Sequence, residues 1–235
     1  MKQRLATILV FAVGIVAAFL WRTTFSTAPA ASDQAPEREI EAQMTSGRGG
    51  RLAVPPISIG ASGIVRREVV LMGTAFVFVV DAEPQKATRA IEATTKRLND
   101  LEREISSWMP DSDVARLNAL AGIEPVAIGA DTMELLRISK QLHDETGGAF
   151  DVTIGSVWDL WPFRDSGLPL PTQEQLAEGL KLVDASQIEL DDTMQTAYLP
   201  LAGMKVNLGA IGKGYAATIA VKIMSEHGIE RAAIS

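Results

Sequence analysis

A β-branched run over residues 65–80 is followed directly by a helical pattern over residues 85–105, and any fold must accommodate both. The run is apolar and is interrupted at Gly73, which predicts two strands or one bent strand. In the second segment the apolar residues recur at helical spacing, which predicts an amphipathic helix. The residues on its apolar face are Ile91, Leu98, Leu101 and Ile105. The two patterns together predict that the folded part contains both strands and helices.

Capping residues and glycines predict four more helices further along the chain. One follows Ser112, one runs from Asp131 to the Gly147-Gly148 pair, one follows the Thr172 and Gln175 capping-box pair, and one covers residues 214–227. Residues 188–208 alternate around turns as short antiparallel strands do, and residues 232–235 begin another apolar strand. That last strand resembles the start of a strand–helix–strand unit, so we expect a chain cut before its natural end. A genuine C-terminal edge strand is the alternative.

Composition indicates a globular protein and excludes several classes of site. Hydrophobic residues make up 47% of the 235 residues and charged residues 22%. The net charge of −7 disfavours nucleic acid as a partner. The absence of cysteine excludes disulfides, thiolate zinc sites, cysteine nucleophiles and a lipidated cysteine anchor. His143 and His227 are the only histidines and are predicted to have surface or capping roles, so any metal would be held by oxygen ligands.

The N-terminus has the pattern of an export signal. Lys2 and Arg4 precede an uncharged run over residues 5–21, and small residues follow it. Residues 1–25 are therefore predicted to be either a cleaved signal peptide or a membrane anchor, with the rest of the chain outside the cytoplasm. Residues 26–63 are rich in Ala, Pro, Gly and Ser and are predicted to be a flexible linker. The folded domain is predicted over residues 64–235.

A glycine-rich segment over residues 206–215 is the strongest local feature. We interpret it as a strand, a glycine turn and a helix start, with Lys213 in the turn. Backbone N–H groups in such a turn, the helix N-terminus and the lysine charge suit a phosphate or pyrophosphate. The segment is not a P-loop, because its spacing is too short. Tight packing is the alternative reason for the glycines.

Three more segments are candidate binding elements. In residues 146–155, Asp151 can accept hydrogen bonds from a base edge or ribose, whereas the alternative is a helix C-cap followed by an Asx turn. Trp108 is predicted in a loop between two helices, where it either stacks on a planar ring or covers a core. Trp158 and Trp161 are predicted in the core. Gly73, after Met72, breaks a strand and predicts a bulge.

These segments occur in one order, and together they resemble the ApbE-type flavin transferases, which are FAD:protein FMN transferases. The resemblance covers residues 72–235. The motifs that carry it are Met72-Gly73-Thr74, Ser106-Ser107-Trp108 with the later Asp111-Ser112 and Leu117-Asn118, Gly147-Gly148-Ala149-Phe150-Asp151 with the later Leu160-Trp161, and Asn207-Leu208-Gly209-Ala210-Ile211-Gly212-Lys213-Gly214-Tyr215.

The resemblance implies an α+β fold, a single domain of mixed sheets and packed helices. It also implies an exported enzyme on the periplasmic side of the bacterial inner membrane. It implies Mg²⁺-dependent transfer of FMN from FAD to a threonine hydroxyl of an acceptor protein, with release of AMP. The acceptors it implies are flavin-carrying subunits of membrane redox complexes. The site residues it implies are Met72 and Trp108 against the flavin nucleotide, Ala149, Phe150 and Asp151 at the adenosine part, Asn207 and Lys213 as FAD-binding and catalytic residues, and the Ala210 carbonyl as a magnesium ligand.

Two features depart from the family pattern. Asn207 stands where the family usually has aspartate, which keeps a hydrogen-bonding oxygen but loses a charge. The family's later aspartate and threonine metal ligands would follow Ser235, so the magnesium site is expected to be incomplete in this sequence. An FAD-binding module without transfer, or an FAD pyrophosphatase that uses water in place of threonine, are the alternative functions.

Overall fold

The computed structural model describes Leu9–Val10, Ser58–Ile59, residues 63–162 and residues 169–235. Apart from Leu9–Val10, Ser58–Ile59 and Gly63, the predicted signal or anchor and the predicted linker therefore lie outside the described residues. Within the part of the chain that is described, no helix is both long and apolar enough to cross a membrane. The contacts between residues group the chain into two compact units. The first comprises residues 1–91 and 227–235, and the second comprises residues 92–226.

The strands are β1 (Leu9–Val10), β2 (Ser58–Ile59), β3 (Ile64–Leu71), β4 (Thr74–Asp81), β5 (Val126–Ala127), β6 (Glu189–Asp191), β7 (Thr196–Tyr198) and β8 (Ala232–Ile234). The helices are α1 (Pro84–Ile105), α2 (Asp113–Ala119), α3 (Ala130–Glu145), α4 (Gly155–Trp158), α5 (Gln173–Leu180) and α6 (Gly209–Glu226), with a 3₁₀ turn at Ala185–Gln187. This mixture of packed helices and small sheets confirms the predicted α+β class.

The first unit contains a five-stranded sheet in the order β1-β8-β4-β3-β2. Strands β3 and β4 form an antiparallel hairpin in which Leu71 pairs with Thr74. The two residues between them, Met72 and Gly73, have φ angles of 52° and 68°. Positive φ at both central positions is typical of the type I′ turn that matches strand twist. The prediction of two strands is confirmed, and the prediction of a bulge at Gly73 is wrong because the glycine closes a hairpin.

The predicted last strand is also present in this sheet. Strand β8 pairs antiparallel with β4, with Ile234 opposite Phe78, and parallel with β1. It therefore lies between two strands rather than at the sheet edge, because β1 covers its other side. The buried apolar side chains on this sheet include Val65, Leu71, Phe76, Phe78 and Val80.

The second unit is mainly helical and carries a three-stranded antiparallel sheet in the order β5-β7-β6. Two helix caps that the sequence predicted are present in this unit. The Ser112 hydroxyl accepts a hydrogen bond from the N–H of Ala115 at 3.0 Å, and Thr172 and Gln175 form a reciprocal capping box. The buried side chains of this unit include Leu98, Leu101, Leu117, Leu135, Leu136, Met204 and Leu208.

Helix α6 begins five residues earlier than predicted, and the strand predicted directly before it is absent from the described residues. The glycine-rich segment, interpreted above as a turn, forms the first turns of the helix from Gly209 onwards. A Cβ on Gly212 would lie 3.0 Å from Cδ1 of Ile105 on α1, so the absence of a side chain permits close packing there. Residues 199–208 are not a regular strand, although β6 and β7 confirm the antiparallel pair predicted before them.

The prediction that Trp158 and Trp161 lie in the core is wrong. Their exposed fractions are 42% and 38%. The exposure has a local cause, because Trp158 ends the single-turn helix α4 and Trp161 comes shortly after it. The buried residues of this helix are Gly155 and Val157. So short a helix has one inward face, and that face is already occupied by the two smaller residues.

Candidate functional site

A cavity of about 340 Å³ opens in the second unit and brings together two residues that were predicted from separate motifs. These are Trp108, from the loop between α1 and α2, and Asn207, which immediately precedes α6. The full set of lining residues is Ser107, Trp108, Ala115, Asn118, Ala119, Gly155, Asp159, Lys205, Val206 and Asn207. The sequence singled out Trp108 and Asn207 as ligand contacts, whereas the geometry adds the others.

The loop that carries Trp108 is held in shape by hydrogen bonds among its own residues. The Ser106 hydroxyl accepts from the N–H of Trp108 at 3.2 Å, and the Ser112 hydroxyl donates to the Ser106 carbonyl. The N–H of Ser112 donates to the Met109 carbonyl at 3.0 Å. Trp108 is nevertheless 59% exposed. The alternative in which this indole covers a core is therefore wrong, and a flat apolar face borders the cavity.

Another part of the lining is the extended segment of Lys205, Val206 and Asn207, which is held by partners elsewhere in the unit. Three successive backbone N–H groups donate to acceptors outside the segment: Lys205 to the Ser156 hydroxyl at 2.9 Å, Val206 to Oδ1 of Asn118 at 2.7 Å, and Asn207 to the Val152 carbonyl at 2.8 Å. Side chains thus replace most of the strand partner that this segment would otherwise need.

Gly155, which lines the cavity, lets its backbone come close to the backbone of Lys205. A Cβ at this position would lie 2.5 Å from the carbonyl oxygen of Lys205. The neighbouring residue, Ile154, forms an isolated parallel bridge with Lys205. The glycine in the predicted 146–155 motif therefore serves to bring two segments of this unit together.

Asn207 connects the cavity to the N-terminus of α6. Its Oδ1 accepts a hydrogen bond from the N–H of Gly209 at 2.9 Å. Within the described ranges, the N–H groups of Ala210 and Ile211 donate to no acceptor, as is usual at a helix start. Lys213, one turn further on, is exposed. Free N–H groups, the helix dipole and a lysine make this helix end suitable for an anion, as predicted, although on a helix rather than a turn.

An ion pair at the rim of the cavity was not predicted. Nζ of Lys205 lies 2.6 Å from Oδ2 of Asp159, and both side chains are partly exposed. Neither residue stands out in the sequence, because they are 46 positions apart and belong to no charge pattern. Asn118 belongs to the Leu117-Asn118 motif identified in the sequence, but no role was predicted for it.

Asp151 does not line the cavity, and its carboxylate is occupied by the protein. Oδ1 accepts from the N–H of Thr153 at 2.8 Å and from its hydroxyl at 2.5 Å, and Oδ2 accepts from the N–H of Ala185 at 2.9 Å. The Asx-turn alternative therefore describes this residue correctly. Asp151 still borders the site through its neighbour, because Val152 accepts the hydrogen bond from Asn207.

His143 has a less exposed position than predicted. It lies in the last turn of α3, and its side chain is 17% exposed. Nδ1 lies 3.0 Å from Oδ2 of Asp151, and Nε2 lies 3.8 Å from Oδ1 of Asp184. The first contact is not an aligned hydrogen bond, because Nδ1 has no hydrogen-bond partner among the described residues. The position of His143 in the last turn of α3 is compatible with the capping alternative of its predicted role, and its partly buried ring lies near two carboxylates.

The remaining predicted residues lie apart from the cavity lining. Ala149 is exposed and Phe150 is half-buried, and the N–H of Phe150 donates to the Thr146 hydroxyl at 3.0 Å. Met72 is half-buried at the hairpin turn of the first unit. Their contacts with FAD stay predictions.

A cluster of ionisable groups lies between α1, α3 and α6 in the second unit. Desolvation, together with the charges of Asp131 and Asp113, raises the pKa of Glu104 from its ordinary value of 4.5 to about 7. Burial and a hydrogen bond to Asp131 raise the pKa of Tyr215 to about 12. The Tyr215 hydroxyl donates to Oδ1 of Asp131 at 3.0 Å, and Arg97 pairs with its Oδ2. Through the bond between Tyr215 and Asp131, this cluster holds the N-terminal part of α6, which includes Lys213, against α3.

The described residues do not by themselves form a magnesium site. Among them, no group of three or more His, Cys, Asp or Glu side chains could hold a metal ion. The Ala210 carbonyl supplies a single oxygen, whereas Mg²⁺ requires six ligands in an octahedral arrangement.

Comparison with known proteins gives a consistent result. The model of the ApbE family matches residues 72–235. An FAD:protein FMN transferase of Treponema pallidum is 30% identical over 175 residues, which are 72% of this chain and 48% of that protein. One of Haemophilus influenzae is 35% identical over 141 residues, which are 58% of this chain and 40% of that protein. The chain spans about half the length of the curated relatives it matches.

Solved structures show the same fold. The ApbE protein of Thermotoga maritima is 26% identical with a TM-score of 0.64, and the match covers 70% of this chain and 53% of that one. The flavin transferase ApbE of Vibrio cholerae is 22% identical with a TM-score of 0.67, and the match covers 77% of this chain and 57% of that one. At this level of identity, the second likeness concerns the fold alone.

Proposed function

This chain belongs to the ApbE family, and from that membership we propose that it takes part in transferring FMN from FAD to an acceptor protein. The observation that carries the proposal is the cavity that joins Trp108 to Asn207 and, through Asn207, to the N-terminus of α6. An aromatic face and an anion-binding helix end are the two surfaces that a flavin dinucleotide requires.

In the proposed reaction a threonine hydroxyl of the acceptor attacks the FMN phosphorus of FAD. The new bond joins the threonine oxygen to that phosphorus, the pyrophosphate P–O bond breaks, and AMP leaves. The hydroxyl proton goes to solvent. Negative charge builds on the pyrophosphate during this step, and Lys213 with the N–H groups of Ala210 and Ile211 would offset part of it. Asn207 would orient the pyrophosphate as a hydrogen-bonding group.

We propose that the transfer also requires Mg²⁺, which would neutralise phosphate charge when bound. The Ala210 carbonyl would be one ligand. The support for this part is the family resemblance together with the shortage of histidine and the absence of cysteine, since Mg²⁺ prefers oxygen ligands.

The partner and location proposals rest on the sequence. We propose flavin-carrying subunits of membrane redox complexes as acceptors, and export to the periplasmic side of the inner membrane through residues 1–25. For the ligand, we propose that Met72 contacts the flavin nucleotide and that the segment of Ala149, Phe150 and Asp151 borders the adenosine part. The carboxylate of Asp151 would act there by holding the segment in shape.

The proposal is tested by binding and by transfer. Calorimetric titration of the full-length protein with FAD and with FMN, with Mg²⁺ present, should show tighter binding of FAD. Equal affinity for FMN would mean that the adenosine half is not recognised. Incubation with FAD and a threonine-bearing acceptor, followed by a denaturing gel, should give a fluorescent acceptor band that is lost without Mg²⁺. Release of free FMN and AMP without a labelled acceptor would instead indicate a pyrophosphatase, and binding with no product would indicate a carrier module.

A further inference from the structure

Asn118 is a half-buried residue near the end of α2 that forms two hydrogen bonds to one distant residue. Its Nδ2 donates to the Val206 carbonyl at 2.9 Å, and its Oδ1 accepts from the Val206 N–H at 2.7 Å. The two residues are 88 positions apart. A side-chain amide that pairs with both peptide groups of one residue takes the place of a neighbouring strand.

The bonded residue immediately precedes Asn207. Val206 is 1% exposed, so its peptide groups depend on Asn118 rather than on solvent. Asn207 is then fixed on its other side by the cap that its Oδ1 makes to Gly209. A shift of Val206 would therefore move Asn207 and the first turn of α6 together.

Asn118 also belongs to helix α2, which is hydrogen-bonded to the loop that carries Trp108. Helix α2 begins at the Ser112 cap, and the same hydroxyl donates to the Ser106 carbonyl of the Trp108 loop. Trp108, Asn118 and Asn207 all line the one cavity. The amide of Asn118 thus bonds directly to the segment that carries Asn207, and its helix is bonded through the Ser112 hydroxyl to the loop that carries Trp108.

We propose that Asn118 is a positioning residue that fixes the separation between Trp108 and Asn207 and so sets the affinity for FAD. This inference rests on the proposed function, because it takes FAD as the occupant of the cavity. Asparagine fits the role since it both donates and accepts at this spacing. Aspartate has the same shape but has no donor, and it would place a negative oxygen against the Val206 carbonyl.

The test compares Asn118→Asp with wild type for FAD affinity, for KM and kcat in the transfer assay, and for thermal unfolding. We expect the Kd and the KM for FAD to rise roughly tenfold to a hundredfold, with a smaller change in kcat. Asn99→Asp is the matched control. The Asn99 amide donates only to the Thr95 carbonyl on the same helix, so this change should leave the Kd within twofold.

A double-mutant cycle separates positioning from general stability. If Asn118 acts through Asn207, Asn118→Asp should change the Kd little when Asn207→Ala is already present. A purely structural role would lower the unfolding temperature and leave the folded protein with the wild-type Kd, which would overturn the inference. Fully additive effects would also overturn it. Asn118→Ala carries the same test if Asn118→Asp does not fold.

FAD binding by the wild-type protein distinguishes a failure of the proposed function from a failure of this inference. A wild-type protein that binds no FAD would overturn the proposed function and this inference with it. A wild-type protein that binds FAD, alongside an Asn118→Asp variant with the same Kd, would overturn only the inference.

Discussion

The carboxylate of Asp151 accepts a hydrogen bond from the backbone N–H of Ala185, 34 residues further along the chain, at 2.9 Å. The other oxygen of the same carboxylate accepts from the N–H of Thr153. One side chain therefore ties the segment after α3 to the 3₁₀ turn at Ala185–Gln187. This geometry assigns Asp151 a role in the shape of the segment.

We expect Asp151→Ala to lower the free energy of unfolding by about 2–4 kcal/mol, because two backbone N–H groups lose a charged acceptor. Asp151→Asn should cost less, since its amide oxygen can still accept one bond. Urea denaturation followed by circular dichroism measures the change. Asp144→Ala, at an exposed position on α3, is the control and should leave stability within 0.5 kcal/mol, as is roughly usual for surface substitutions. Normal stability of Asp151→Ala with a weakened FAD complex would instead support direct contact with the ligand.

Lys213→Ala should weaken FAD binding by about 1–3 kcal/mol, the range for loss of a charge-assisted hydrogen bond. Lys213→Arg should recover only part of this, because a planar guanidinium does not reproduce a compact ammonium group. Calorimetry measures both dissociation constants. Lys222→Ala, an exposed lysine towards the other end of α6, controls for net charge and should have little effect. An unchanged Kd for Lys213→Ala would return the glycine-rich segment to the packing interpretation.

Trp108→Ala should leave the fold intact and weaken FAD binding by about 1–2 kcal/mol, because the exposed indole supplies a flat surface for a planar ring. Trp108→Phe should retain part of the affinity. Quenching of flavin fluorescence on titration provides the measurement. The neighbouring Met109→Ala, at a residue that is 39% exposed, is the control. Equal effects of Trp108→Ala and Met109→Ala would indicate a general disturbance of the loop rather than stacking.

Glu104 should make the protein less stable as the pH rises from about 4.5 to about 7. The pKa of Glu104 is raised to about 7 in the folded state, so there it keeps a proton that the unfolded chain has already released. Its stabilising contribution is complete below pH 4.5 and is lost above pH 7. Glu104→Gln should remove this dependence and stabilise the protein at pH 8 by about 1 kcal/mol, after allowance for screening of a partly exposed group.

Thermal unfolding measured from pH 4 to pH 8 tests this, with Glu102→Gln on the same helix as the control. The Glu102 variant should follow the wild-type curve. A Glu104→Gln variant that also follows the wild-type curve would show that the pKa of this carboxyl is the same in the folded and unfolded states.

Local chemistry made part of the fold predictable from the sequence. The Thr172 and Gln175 pair and the Ser112 cap satisfy backbone groups within a few residues of themselves, so their patterns are visible in the sequence. The start of α6 was missed for the opposite reason. Glycines lower helix propensity, and the packing of Gly212 against Ile105, a residue on another helix, is a long-range contact that no local pattern reports.

The candidate site was predictable only in its outline. Trp108 and Asn207 were identified by their motifs, but the bonds that hold them were not. Asn118 pairs with Val206 across 88 positions, and Lys205 pairs with Asp159 across 46, and such pairings depend on the tertiary fold. Trp158 and Trp161 show the same limit, because an aromatic residue type alone does not determine burial.

The approach of Gly155 to the Lys205 carbonyl makes residue 155 a marker for comparing relatives of this chain. A methyl group there would push the carbonyl aside by at least about 0.5 Å, since a Cβ would lie 2.5 Å from the oxygen and contacts below 3.0 Å are essentially not seen. Alanine at the aligned position in another protein would therefore indicate a wider separation of the two backbones and a differently shaped cavity. A single glycine, read from sequence alone, can thus sort relatives into those that share this cavity and those that must have rebuilt it.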